Sequence, residues 1–248
     1  MPFAGPDTDV EHDPQVQALR ARAAERSTWV SVAVNVLLST GQMLTGWLTH
    51  SQALMADGLH SLSDLVADGV VLLANHHSRK DADEDHPYGH MRFETAASLV
   101  LGLLLVLVGA GMLSAAVNKL QDPSSIQKVH SLALWVAGVA LVAKEGLFRY
   151  MLAVAKRVKS SMLVANAWHA RSDAASSLVV GLGIAGNLAG YPLLDPIAAA
   201  IVGFMVAKMG FGFAWDALHD LMDRAIDDEE VAAIRATLAG TQIGRAHV

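Results

Sequence analysis

The sequence predicts an all-α protein built around a bundle of six membrane-spanning helices. Of its 248 residues, 53% are hydrophobic and only 17% are charged, a composition that disfavours a water-soluble globular domain. Six stretches share the length and apolar content that a helix needs to cross a bilayer: 28–48, 52–76, 93–118, 129–153, 161–187 and 193–215. We therefore expect a lipid bilayer around residues 28–220, which form the predicted transmembrane domain.

The basic residues predict how this domain is oriented. Most of the 18 Lys and Arg residues lie in the terminal segments and in the links near 79–92 and 149–159, whereas the short links at 49–51 and 190–192 contain none. Residues 1–27 are polar and lack the apolar core of a signal peptide. By the positive-inside rule we expect both termini in the cytoplasm, with residues 1–27 as a cytoplasmic tail.

Net charge and cysteine content argue against binding to nucleic acid and against a thiolate metal site. A net charge of -6 argues against binding to nucleic acid. Because the chain has no cysteine, it cannot form disulfides or a thiolate metal site. His, Asp and Glu are then the strong metal ligands that remain.

Two predicted spans carry ionisable residues where a membrane helix normally has none. In the second span, ADGLHSLSDLVADG, His60 precedes Asp64 by one helical turn, and in the fifth, ANAWHARSDAASS, His169 precedes Asp173 in the same way. This spacing places both side chains of a pair on one helix face. A carboxylate at the bilayer centre costs roughly 3 kcal/mol, so each Asp needs a partner, a water-filled cavity or a bound ion.

Together the two motifs offer two imidazoles and two carboxylates at a matched depth. Such a set suits tetrahedral Zn²⁺ and other first-row divalent ions, whereas Ca²⁺ and Mg²⁺ prefer oxygen ligands alone. The sequence therefore predicts a metal site within the membrane. A structural alternative remains open, in which each His and Asp pairs with the other or with nearby Ser and Asn.

Three more charged residues lie near the two motifs. Asp57 and Asp68 extend the face of the second span by about a turn on either side, either as stations on an ion or proton path or at wet helix ends. Arg171 points off the face shared by the fifth-span pair. We expect it to be an ion-pair partner rather than a ligand.

Two further patterns concern the loops and the glycines. The predicted loop DADEDHPYGHMRFE contains Asp83, His86 and His90 around a Pro-Tyr-Gly turn, which either gathers a second metal site or is simply a solvated charged loop. Five glycines of spans three, five and six would permit close helix contacts that slide or rock, or are simply packing sites: Gly109, Gly111, Gly181, Gly183 and Gly203.

At these motifs the chain resembles the cation diffusion facilitator family of divalent-metal/proton antiporters. The matching segments are ADGLHSLSDLVAD, HPYGHMRFE, KEGLFRY, SMLVANAWHARSDAASS, LLDPIAAAIV and LMDRAIDDEE. The resemblance implies a secondary transporter, not an enzyme, that exports divalent transition-metal ions by metal/proton antiport with alternating access. It also implies a homodimer without a bound cofactor, and a bacterial inner membrane as its location.

The resemblance assigns roles to individual residues. The transport ligands correspond to His60, Asp64, His169 and Asp173. A second metal site corresponds to Asp83, His86 and His90. A charge pair at the dimer interface corresponds to Arg92 and Asp223. Histidine at position 60 favours zinc, with iron, cobalt, cadmium and manganese also open.

The resemblance also predicts a shortened cytoplasmic domain in residues 221–248. Only its opening helix, AIDDEEVAAIRATL, has a counterpart, and the final IGRAHV can be encoded by a common sequencing-library adapter. We therefore expect a truncated chain and a weakened dimer.

Two other classes of function compete with antiport. A passive divalent-cation channel is disfavoured because strong multidentate ligation slows the exit of ions. An intramembrane metal-dependent hydrolase would need a general base, and no Glu stands beside either His-Asp motif.

Overall fold

The computed structural model describes residues 14–78, 92–158, 161–222 and 228–240. Within these ranges the chain is helical and contains no strand, which confirms the predicted all-α fold. The helices are α1 (Pro14–Thr49), α2 (Gln52–Ser78), α3 (Arg92–Gln121), α4 (Leu132–Arg157), α5 (Ser161–Leu188), α6 (Leu194–Leu221) and α7 (Asp228–Gly240). A short 3₁₀ turn, Pro123–Ser125, lies between α3 and α4.

The six predicted spans coincide with α1 to α6, and the largest difference is at the start of α1. This helix begins at Pro14, so much of the segment expected as a separate tail is continuous with the first span. Residues 15–26 are rich in Ala, Arg and Gln, which favour helix, and proline suits a first helical position. The described part of the helix predicted in AIDDEEVAAIRATL, from Asp228 onward, is confirmed and belongs to α7.

Two helices of the described chain, α3 and α6, are long and apolar enough to cross a membrane by length and composition alone. The other long helices carry more polar residues, and several of these are buried against neighbouring helices. Lys144 of α4 and Asp57 of α2, for example, are 2% and 0% exposed. Polar side chains in the bundle interior avoid contact with lipid, so these helices tolerate them.

Glycines bring α3 and α6 into backbone contact. Gly102 and Gly109 on α3 face Gly203 and Gly210 on α6. On each helix the two glycines are about two helical turns apart. A Cβ atom on Gly102 would lie 2.4 Å from the backbone nitrogen of Ala214. Such an approach excludes larger residues at these positions.

The prediction of close glycine contacts is correct for three of the five residues. A Cβ atom on Gly109, Gly183 or Gly203 would lie within 3 Å of a neighbouring helix. For Gly111 and Gly181 the prediction is wrong within the described residues, since a Cβ atom there would meet nothing within 4 Å.

Polar contacts hold the end of the bundle where α1 joins α2 and α5 joins α6, called here the short-turn face. Asp195 of α6 is 2% exposed and accepts a hydrogen bond from the Ser51 hydroxyl at 2.6 Å. It also accepts one from the backbone N–H of Gln52 at 2.8 Å. The first N–H groups of a helix have no partner within it, so Asp195 caps α2 from another helix.

Candidate metal site

Three of the four predicted ligands converge where α2 faces α5. One ligand atom from each of His60, Asp64 and Asp173 lies within 4.8 Å of the other two. The His60 side chain is buried, and both carboxylates are partly buried. Ligands ~2.1 Å from a tetrahedral ion are ~3.4 Å apart, so small side-chain movements would bring this group to a binding geometry.

The polar atoms of this group have few other partners. Nδ1 of His60 lies 3.5 Å from Oδ2 of Asp64, which is longer than an ordinary hydrogen bond. Among the residues the structure describes, Nδ1 of His60 and both Asp64 oxygens are buried without a hydrogen-bond partner. An unsatisfied buried polar atom costs about 1–3 kcal/mol, which disfavours the alternative in which the pair is purely structural.

His169 lies beside this group but outside it. Together with Asp64, Asp68 and Asp173 it lines a cleft of about 40 Å³. The side chain is exposed, and its nitrogens are not part of the group within 4.8 Å. The structure therefore brings three of the predicted ligands together and places the fourth at the edge of the same cleft.

The cleft extends from this group away from the short-turn face. Asp68 follows Asp64 by one turn on α2, a helix that runs away from the short-turn face. Asn166 precedes His169 on α5, which runs toward that face. Both lining residues therefore lie between the candidate ligands and the opposite end of the bundle.

Asp57 does not sit at a wet helix end, so that interpretation is wrong. It is 0% exposed, and its Oδ1 lies 3.2 Å from the Lys144 ammonium. The hydroxyls of Ser176 and Ser177 donate to Oδ1 at 3.2 Å and to Oδ2 at 2.6 Å. Gln42 donates a further hydrogen bond to Oδ2. These five residues, named the Asp57 cluster below, connect α1, α2, α4 and α5.

Sequence reasoning missed the part that Lys144 plays in this cluster. No sequence pattern assigned a role to Lys144, whose ammonium also donates a hydrogen bond to Ser177 at 2.7 Å. A single Lys in an apolar helix needs a carboxylate partner, and that rule was the signal available. It does not identify which carboxylate of another helix is the partner.

Arg171 contacts aromatic rings instead of the expected ion-pair partner. Its guanidinium carbon lies 5.0 Å from the centre of the Phe148 ring and 5.1 Å from that of Trp168. Within the described ranges no carboxylate pairs with it. Cation–π contacts at this distance stabilise a charge by about 0.5–1 kcal/mol at exposed sites.

Two other predicted sites fall partly or wholly outside the described residues. Asp83, His86 and His90 of the second metal site lie there, as does Asp223 of the interface pair. Arg92 is described and is the first residue of α3. Both sites stay predictions.

Known proteins resemble this chain along most of its length. A family model described as the cation efflux transmembrane domain matches residues 28–222. The chain is 34% identical over 241 residues to Metal tolerance protein 2 of Oryza sativa subsp. japonica, covering 87% of this chain and 62% of that protein.

Two more relatives extend the comparison. Identity to Metal tolerance protein C1 of Arabidopsis thaliana is 34% over 223 residues, covering 84% of this chain and 47% of that protein. Identity to Manganese efflux system protein MneS of Bacillus subtilis is 32% over 217 residues, covering 88% and 74%. The chain thus spans about half to two thirds of the length of the two plant proteins.

Proposed function

The chain belongs to the cation efflux family, and we propose that it is a secondary transporter which exports divalent transition-metal cations. The matched domain is a transmembrane domain, so the chain is a membrane protein. The observation that carries the proposal is the convergence of His60, Asp64 and Asp173 inside the helical bundle. The unpartnered polar atoms of this group favour reversible binding of a cation rather than a permanent structural contact between the side chains.

In the proposed site His169 supplies the fourth ligand. Its exposed ring lines the same cleft as Asp64 and Asp173, and rotation about its side-chain bonds would turn a nitrogen toward them. Two carboxylates then balance the charge of a divalent ion. Two imidazole nitrogens complete a tetrahedral shell.

Zinc is the first cation we propose, because a shell of two nitrogens and two oxygens matches its preferences. Manganese is the second candidate, since one relative is named for manganese efflux. Mn²⁺ favours oxygen ligands, and the two histidines argue against it in this chain. Iron, cobalt and cadmium belong in the same comparison.

We propose that protons move opposite to the metal. A ligating His must be neutral and a ligating Asp ionised, so protons and metal compete for the same lone pairs. A proton gradient directed into the cell would then favour metal release on the outside. A passive channel would not couple metal movement to that gradient.

The arrangement in the membrane is part of the proposal. We propose that the chain lies in a bacterial inner membrane. Basic residues concentrated near 79–92 and 149–159 favour an orientation with both termini in the cytoplasm. The short-turn face would then lie outside the cell. We propose a homodimer, and its oligomeric state in detergent tests that proposal.

Metal flux into proteoliposomes tests this function. The purified chain is reconstituted with a metal-sensitive dye inside, and Zn²⁺, Mn²⁺, Fe²⁺, Co²⁺ and Cd²⁺ are each added with and without a proton gradient. We expect saturable Zn²⁺ flux that rises with a proton gradient acidic inside the vesicles and that a protonophore returns to the level without a gradient. Flux equal to that of protein-free vesicles would contradict transport, and flux indifferent to the gradient would indicate a channel.

A further inference from the structure

Two layers of buried side chains separate the candidate metal site from the short-turn face. The nearer layer is the Asp57 cluster. Asp57 precedes His60 by about one turn on α2, and Ser176 and Ser177 follow Asp173 by about one turn on α5. Because these helices run in opposite directions, both steps lead toward the short-turn face.

The farther layer is apolar. Beyond the Asp57 cluster, Val180 and Ile184 of α5 pack with Ala53 and Leu54 of α2, and all four are 0% exposed. The cleft beside His169 lies on the other side of the site. The site is therefore bordered by a polar cleft on one side and by two layers of buried side chains on the other.

We propose that the Asp57 cluster is the gate that closes the site toward the short-turn face, and that Lys144 holds this gate shut by pairing with Asp57. The proposal rests on the transport function proposed above. The cluster joins α2 to α1, α4 and α5, the same four helices that line the cleft. An ion leaves on this side only when α2 and α5 separate there, and that movement breaks the cluster.

A buried ion pair suits such a gate because the dry, closed arrangement and the hydrated, fully open arrangement are both stable. While the cluster is dry, separating Asp57 from Lys144 leaves two unpaired buried charges, which is strongly unfavourable. Once water enters, both charges are hydrated and their attraction is weak. The pair therefore opposes partial opening more than full opening. Lys144 is in this sense a positioning residue, since it touches Asp57 and not the candidate ligands.

The natural absence of cysteine allows a direct test of the gate. Val180→Cys places a single thiol in the closed apolar layer, and a membrane-impermeant maleimide is added to the side of the short-turn face. Tyr191→Cys identifies that side, because Tyr191 is exposed in the turn between α5 and α6. We expect Lys144→Met to raise the labelling rate of the position-180 thiol by about tenfold or more, since the gate loses its buried charge pair.

Three companion variants separate gating from general disruption. Arg149→Gln removes a charge from the exposed Glu145–Arg149 pair on the same helix and should leave the labelling rate unchanged. Asn166→Cys reports the cleft, and with Lys144→Met its labelling from the opposite side should fall. The double change Asp57→Asn with Lys144→Met leaves no unpaired buried charge, yet it should still raise the labelling at position 180.

Unchanged labelling at position 180 in both the Lys144→Met chain and the neutral double variant would overturn the gate. Labelling that rises equally from both sides would overturn it too, because the change would then be loss of packing. Metal flux of the unaltered chain is measured in parallel. Its absence would refute the proposed function, whereas the labelling pattern would still decide the gate.

Discussion

Replacing Gly102 with alanine tests whether α3 and α6 are held in backbone contact. The new Cβ atom would lie 2.4 Å from the nitrogen of Ala214 and 2.7 Å from the carbonyl oxygen of Gly210. Ordinary contacts of a Cβ atom begin at 3.4 Å. Backbone atoms cannot rotate away as a flexible side chain can, so the helices must move apart by about 1 Å along much of their interface.

The expected cost follows from this overpacking. Forcing an extra carbon into a filled interface destabilises a protein by about 1–3 kcal/mol, and the better helix propensity of alanine offsets at most about 1 kcal/mol. For a chain of this size, each kcal/mol corresponds to about 2–4 °C in the thermal midpoint. We therefore expect Gly102→Ala to lower the midpoint by several degrees.

Gly111→Ala on the same helix is the matched control. A Cβ atom at Gly111 would meet nothing within 4 Å in the described part of the chain, so the midpoint should stay constant or rise slightly. Midpoints are measured in one detergent by the temperature at which the folded peak disappears in size-exclusion chromatography. Equal midpoints for the two variants would refute the close α3–α6 contact.

Three more predictions concern the ligands and the cap of α2. Asp64→Asn removes an anionic ligand and should weaken Zn²⁺ binding by more than ~100-fold, since loss of a group that only orients a ligand already costs 10–100-fold; normal Zn²⁺ flux would exclude Asp64 from the site. His60→Asp replaces a nitrogen ligand with a hard oxygen and should shift ion competition from zinc toward manganese; an unchanged competition profile would place His60 outside the metal's coordination shell. Asp195→Asn removes the charge that caps α2 and should lower the free energy of unfolding by about 1–2 kcal/mol. Asp216→Asn, exposed on the same helix, should have no effect, and equal losses in both variants would argue against the cap.

In the described chain α3 and α6 carry the strong local signal of a membrane span, whereas the other four predicted spans contain more polar residues and give a weaker signal. An apolar run of about 20 residues is enough to identify a helix that crosses a bilayer, whichever helices it later contacts. The start of α1 at Pro14 was not predictable in this way, since the residues before the span are polar and favour helix only through their intrinsic propensity. Close contact at Gly109 but not at Gly111 depends on which helix face meets a neighbour.

The two His-Asp pairs show what the sequence determined about the candidate site. A separation of one turn places His60 and Asp64 on one face in any α-helix, so their proximity needs no knowledge of the fold. The same rule applies to His169 and Asp173. It does not state how close the two pairs come, and in the structure Asp173 joins the first pair while His169 stays at the edge of the cleft.

Only the tertiary structure decided the partners of the buried charges. Asp57 and Lys144 are 87 residues apart in the chain, and no local pattern connects them. Whether Asp57 meets water, a metal ion or an ammonium group depends on the rotation and depth of α2 relative to α1, α4 and α5. Those are set by side-chain packing over the whole bundle. Helical periodicity acts within one element, whereas pairing between elements is a property of their assembly, and for that reason the Asp57 cluster could be found only in the folded chain.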